Sequence, residues 1–70
     1  MWNPQYEMYG VIAPQGNNIR VYKDRYNYTT VCTGRQVDRA FWANEALVVY
    51  FGNGLVRRYT DNINYTTIRI

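Results

Sequence analysis

Catalysis requires side chains that can attack a bond or move a proton near neutral pH, and this chain carries few. It has no histidine and no serine, so neither a Ser-His-Asp nor a Cys-His arrangement can be built. Its single cysteine, Cys32, has no imidazole to activate it and reads as a small core hydrophobe. The same inventory excludes a structural zinc site and an internal disulfide. A two-carboxylate hydrolase would draw on Glu7, Asp24, Asp38, Glu45 and Asp61. Asp24 and Asp61 each precede an Asn-Tyr-Thr-Thr run, where an Asp most simply bonds the backbone of its own turn. No glycine-rich phosphate loop opens a helix. The expectation is a non-enzymatic protein with no catalytic residue, metal or cofactor.

Arginine and aromatic residues carry what chemistry remains. Arg20 and Tyr22 recur as Arg57 and Tyr59, and the two-residue spacing puts each pair on one face of a strand. Arg58, Arg39, Arg35 and Trp42 add charge and a flat ring nearby. Arginine beside Tyr or Trp can stack bases or sugars or grip phosphates. The candidate ligand-binding residues are therefore Arg20, Tyr22, Arg57, Arg58, Tyr59 and Trp42. The same side chains can also serve packing alone, with tyrosines between sheets and arginine stems stacked on them. The net charge of +3 permits an anionic partner without demanding one.

These pairs belong to an internal repeat. The stretch 19–31 returns as 56–68 at an offset of 37 residues. Arg, Tyr, Asp, Asn, Tyr, Thr and Thr recur in place, while Ile19/Val56 and Val31/Ile68 exchange one β-branched aliphatic for another. Val11-Ile12 and Val48-Val49 extend the match, as do Gly16-Asn17 and Asn53-Gly54. A period of this size suits units that bury their apolar face only against a neighbour.

Short apolar bursts between Gly, Asn and Asp predict an all-β chain. The expected strands are Glu7–Ala13, Ile19–Lys23, Tyr28–Thr33, Val37–Trp42, Ala46–Phe51, Leu55–Tyr59 and Tyr65–Ile70, with a turn over Pro14–Asn18. Residues 35–47 offer a helical alternative through Val37, Ala40, Phe41 and Leu47, but Phe41-Trp42 favour a strand. The wholly apolar Ala46–Phe51 is expected to be central and covered on both faces. Gly52-Asn53-Gly54 is the strongest turn signal, since Asn and Gly tolerate positive φ. The chain then reads as one domain, 1–70, made of two tandem antiparallel meanders, about 1–33 and 34–70. For a fourth strand in the first unit only Met1–Pro4 remains, with Trp2 in the place of Trp42.

Gly34-Arg-Gln-Val37-Asp-Arg-Ala40-Phe-Trp42, Leu47-Val-Val49 and Asn53-Gly54-Leu-Val56-Arg-Arg-Tyr59 together resemble a β-propeller blade of the WD-repeat kind. The likeness covers 34–68 and part of 16–31. The family's His and Trp-Asp pairs are absent, with Tyr59-Thr60-Asp61 where Trp-Asp would stand. The resemblance implies four-stranded sheets packed radially and no particular activity. Two blades cannot close a ring, so it also implies that several chains assemble into a propeller or barrel. The β-rich Tyr65–Ile70 would offer an edge for such pairing. The alternative is a monomeric small β-barrel or sandwich. A chain of 70 residues has a thin core, which also favours a homo-oligomer.

The functional expectation is a binding and assembly module that presents a repeated surface to a macromolecular partner. A nucleic-acid binder using the Arg/Tyr face and a multivalent glycan-binding lectin are the alternatives. Met1-Trp2-Asn3-Pro4-Gln5 lacks the charged and apolar regions of a signal peptide, and no run approaches a membrane span. The expected setting is the cytoplasm without membrane contact, as for small phage or bacterial accessory proteins.

Overall fold

The structure, a computed structural model, describes residues 2–52 and 54–69. A short helix, α1 (Pro4–Tyr9), precedes strands β1 (Ile12–Gln15), β2 (Asn18–Tyr22), β3 (Tyr28–Cys32), β4 (Val37–Ala43), β5 (Ala46–Phe51), β6 (Leu55–Tyr59) and β7 (Tyr65–Arg69). They form two antiparallel meanders, a three-stranded sheet β1-β2-β3 and a four-stranded sheet β4-β5-β6-β7. The chain is therefore mostly β, as expected. The two sheets are not joined into a closed barrel, which corrects the barrel half of the barrel-or-sandwich alternative.

The strand expected over Glu7–Ala13 is replaced by the end of α1 and the start of β1. The Asn3 side chain caps the helix by accepting from the Gln5 amide at 3.0 Å, and Pro4 sits in its first turn. Gly10, at φ +78°, closes it by donating to the Tyr6 carbonyl at 2.9 Å. This Asn-Pro start and Gly stop is a helix signature. With six residues, the segment is too short for apolar periodicity to reveal it. Trp2 does not extend the first sheet. It is buried in the core, and its indole stands edge-on to Tyr6 and Trp42 at 5.4 and 5.3 Å between centroids.

Residues 37–43 form a strand with a register shift between Val37 and Arg39. That bulge explains the helical look of this stretch. Val37 and Ala40 lie three apart, yet both pack on the core, because the extra residue restores the inward phase. The β4–β5 turn carries positive φ at Asn44 (50°) and Glu45 (65°), the geometry of a two-residue primed hairpin. In the β5–β6 turn Gly54 has φ +73°, as its sequence signal predicts, while Asn53 lies outside the described residues. Strand β5 is central, but beyond Ala46 only its inner face is sealed. Leu47, Val49 and Phe51 are buried, whereas Val48 and Tyr50 on the outer face are half-covered.

One core joins the two sheets: Trp2, Ile19, Val21 and Val31 meet Leu47, Val49, Phe51 and Tyr59. Each fully buried aliphatic side chain contributes about 1.5–3 kcal/mol. The matching strands turn opposite faces to this core. In the first sheet Ile19, Val21 and Val31 point inward, leaving Arg20, Tyr22 and Tyr28 outward. In the second, Tyr59 and Arg57 point inward with their register partners Leu47 and Val49. Val56, Arg58 and Ile68 then occupy the outer face beside Tyr50 and Val48.

Candidate functional site

Strand β2 projects Arg20 and Tyr22 from the outer face of the first sheet, and antiparallel pairing places Tyr28 opposite Tyr22 and Thr30 opposite Arg20. The two tyrosine rings lie 5.2 Å apart, tilted by 49°, and the Arg20 guanidinium sits 4.7 Å from the Tyr28 ring. Arg20 and Tyr22 are half-buried, and Tyr28 is 46% exposed. Beyond them, Arg25 lies 5.8 Å from the ring of Tyr26, both exposed in the β2–β3 turn.

The same constellation occurs in the second sheet. Tyr59 and Tyr65 are paired in register, their centroids 5.0 Å apart and tilted by 43°. Arg57 lies 4.3 Å from the Tyr65 ring and 5.0 Å from that of Phe51. Here, however, Arg57 and Tyr59 face the other sheet, while Tyr65 is 46% exposed. Arg57 Nη1 donates to the Thr33 carbonyl at 2.9 Å and to the Tyr59 hydroxyl at 3.1 Å, while its buried Nε has no hydrogen-bond partner. Tyr59 is 1% exposed, and its carbonyl accepts from Trp2 Nε1 at 3.0 Å. A guanidinium held between rings and neutral oxygens is a packing element.

The six expected ligand-binding residues thus do not share one surface. Arg20 and Tyr22 stand outside the first sheet. Arg57, Tyr59 and Trp42 belong to the inter-sheet core, where Tyr59 could meet a ligand only if the sheets parted. Arg58 projects from the far face of the second sheet, donating to the Asn44 carbonyl at 3.4 Å. On that face Arg39 lies 4.5 Å from the ring of Tyr50, which stacks on Phe41 at 5.5 Å. Sequence spacing indicated neither the contact of Tyr28 with Tyr22 and Arg20 in the first sheet nor the grouping of Arg39 with Tyr50 and Phe41 in the second. Cross-strand register alone brings Phe41 beside Val48, and Arg39 beside Tyr50. Cys32, expected in the core, is exposed at the end of β3, because it falls on the outer phase of that strand.

The two recurrent aspartates are structural, as expected. Asp24 Oδ1 accepts from the amides of Tyr26 and Asn27, both at 2.9 Å. Asp61 Oδ1 accepts from those of Ile63 and Asn64 at 2.9 and 2.7 Å. In each turn the Asn side-chain amide also donates to the carboxylate. The Asn64 side chain first, then the two backbone amides, hold the Asp61 carboxyl down at about 2. The equivalent bonds, Asn27 foremost, lower Asp24 as well. Glu7 and Glu45 meet elsewhere, around a hollow with Trp2, Asn3 and Pro4, away from the arginine faces.

Comparison with protein-family models, curated proteins and solved structures returned no match. Among the described residues, no helix is long and apolar enough to cross a membrane.

Proposed function

We propose that this chain is a non-enzymatic binding and assembly module, and that its first working surface is the outward Arg20–Tyr22–Tyr28 group. One observation carries the reading. This constellation occurs twice with nearly the same ring and cation spacings, once with its Arg57 and Tyr59 in the seam between two sheets and once with Arg20 and Tyr22 turned away from it. A group that serves as a packing seam inside the chain is suited to seating another sheet outside it. The partner favoured here is the protein itself, in a symmetric homo-oligomer. Sedimentation equilibrium at micromolar concentration tests this, and a single-chain mass at every concentration would sink it.

A polyanion is the second reading, supported by Arg25 beside exposed Tyr26 at the end of the same strand. It predicts oligonucleotide binding that weakens as salt rises, with log affinity against log salt losing about 0.7–0.9 in slope for each phosphate contact removed. Arg20→Ala should lower that slope. No oligonucleotide binding at low salt would discard this reading and leave assembly standing.

A further inference from the structure

The inter-sheet seam joins unlike faces. The aliphatic face of the first unit, Ile19, Val21 and Val31, packs on the Arg–Tyr face of the second through Tyr59 and Arg57, with Tyr65 46% exposed at the edge of the seam. The two faces left outside are the position-for-position counterparts of these. The first sheet leaves its Arg–Tyr face open, with Tyr28 46% and Val11 45% exposed. The second turns outward its aliphatic face, where Val56 and Ile68 stand where Ile19 and Val31 stand in the first; Val56 is covered within its own sheet, at 3% exposure, and Ile68 and Phe41 form the open part. Ile68 is 43% exposed there and Phe41 41%.

We propose that the outer face of β4–β7 in one copy of this chain docks on the Arg20–Tyr22–Tyr28 face of the next, repeating between molecules the seam already made within each. The proposal rests on the self-assembly reading above and names its two surfaces. The seam supplies the argument for the occupant, because a second copy presents the surface that each open face is already built to meet. Such contacts are head-to-tail. They leave a free face at each end and close into a ring or extend without limit, according to the rotation between copies.

One position departs from the template. Arg58 stands where the fully buried Val21 stands in the first unit. Between copies its guanidinium would meet Tyr22 and Tyr28, rings of the kind that hold Arg57 inside the chain. Arg39 and Arg58 would then approach Arg20. Association should therefore tighten as salt screens these like charges, the opposite trend to polyanion binding.

Two variants test the geometry. Ile68→Lys blocks the aliphatic face and Tyr28→Lys the Arg–Tyr face, each at a partly exposed side chain. Near-ultraviolet circular dichroism reports whether each is folded, and Phe41→Lys replaces Ile68→Lys if that variant is not. In sedimentation, each variant alone should fall to the single-chain mass of 8.3 kDa. An equimolar mixture should recover a species of twice that mass and no larger one, because each retains one working face. Loss in each variant without recovery on mixing would indicate like faces meeting across a two-fold axis. That result overturns this inference and leaves self-assembly intact. Undiminished assembly by either variant would also overturn it, whereas a monomeric unmutated protein would overturn both.

Discussion

Arg20 and Arg57 occupy the same place in the repeat, yet their surroundings give them different roles. Arg57 bonds across the seam and lies between Phe51 and Tyr65, so its truncation removes a charge-assisted bond and leaves the Thr33 carbonyl unpaired. Arg57→Ala should cost about 2 kcal/mol or more by urea unfolding, and Arg57→Lys should not restore it, because an ammonium lacks the planar fork. Arg20→Ala should cost about 1 kcal/mol or less, the range of a cation on a ring at the protein surface. Equal losses would mean that the seam does not depend on the guanidinium. The aspartates set a pH dependence. A carboxyl held below its usual 3.8, as Asp61 is at about 2, adds stability that is complete above the unfolded value and is lost as pH falls through the folded one. Asp24 acts in the same direction. Melting temperature should thus drop between about pH 4 and pH 2, and Asp61→Asn should flatten that fall. An acid limb unchanged in the variant would remove Asp61 as its source.

Among the elements, the hairpin turns reward different substitutions. Glu45 holds φ 65°, a left-handed backbone that costs a residue with a Cβ roughly 1–2 kcal/mol. Glu45→Gly should relieve that strain, offset in part by glycine's greater freedom when unfolded, for a net gain of up to about 1 kcal/mol. A lowered melting temperature would contradict this. Gly54, at φ +73°, is the reverse case, and Gly54→Val should destabilise by more than the ~1 kcal/mol typical of point substitutions. The Gly54 turn was legible because glycine announces positive φ. The Asn44-Glu45 turn was not, since Glu carries no such signal and only the Ala43–Ala46 pairing imposes the conformation. The helix was missed for a similar reason. Its caps were written in Asn3, Pro4 and Gly10, but its anchors are contacts remote in sequence: the Tyr6 hydroxyl to Thr29 Oγ1 at 2.6 Å and the Tyr6 ring against Trp2.

For the molecule as a whole, Trp2 links the N-terminal segment to both sheets, through Tyr59, Trp42 and the shared core. Trp2→Ala should cost about 3–5 kcal/mol, a large part of the stability of so small a domain, whereas Trp2→Phe should lose chiefly the bond to the Tyr59 carbonyl, about 1 kcal/mol. Chemical denaturation distinguishes the two, and equal costs would place the value in the hydrogen bond and not in packing. The positions of β2, β5, β6 and β7, the meander order and the Asp turns could be read directly from the chain. They depend on alternation, on turn chemistry and on side chains that bond their own backbone, all of which act over a few residues. The face that each sheet would bury could not be read that way. Both units carry an aliphatic face and an Arg–Tyr face on the same strands, and either can be buried. The choice falls to what lies opposite: Ile19, Val21 and Val31 close one side of the seam, and Tyr59 and Arg57 fit the other. Tertiary packing alone therefore made one Arg–Tyr pair a structural clamp and left its repeat on the surface.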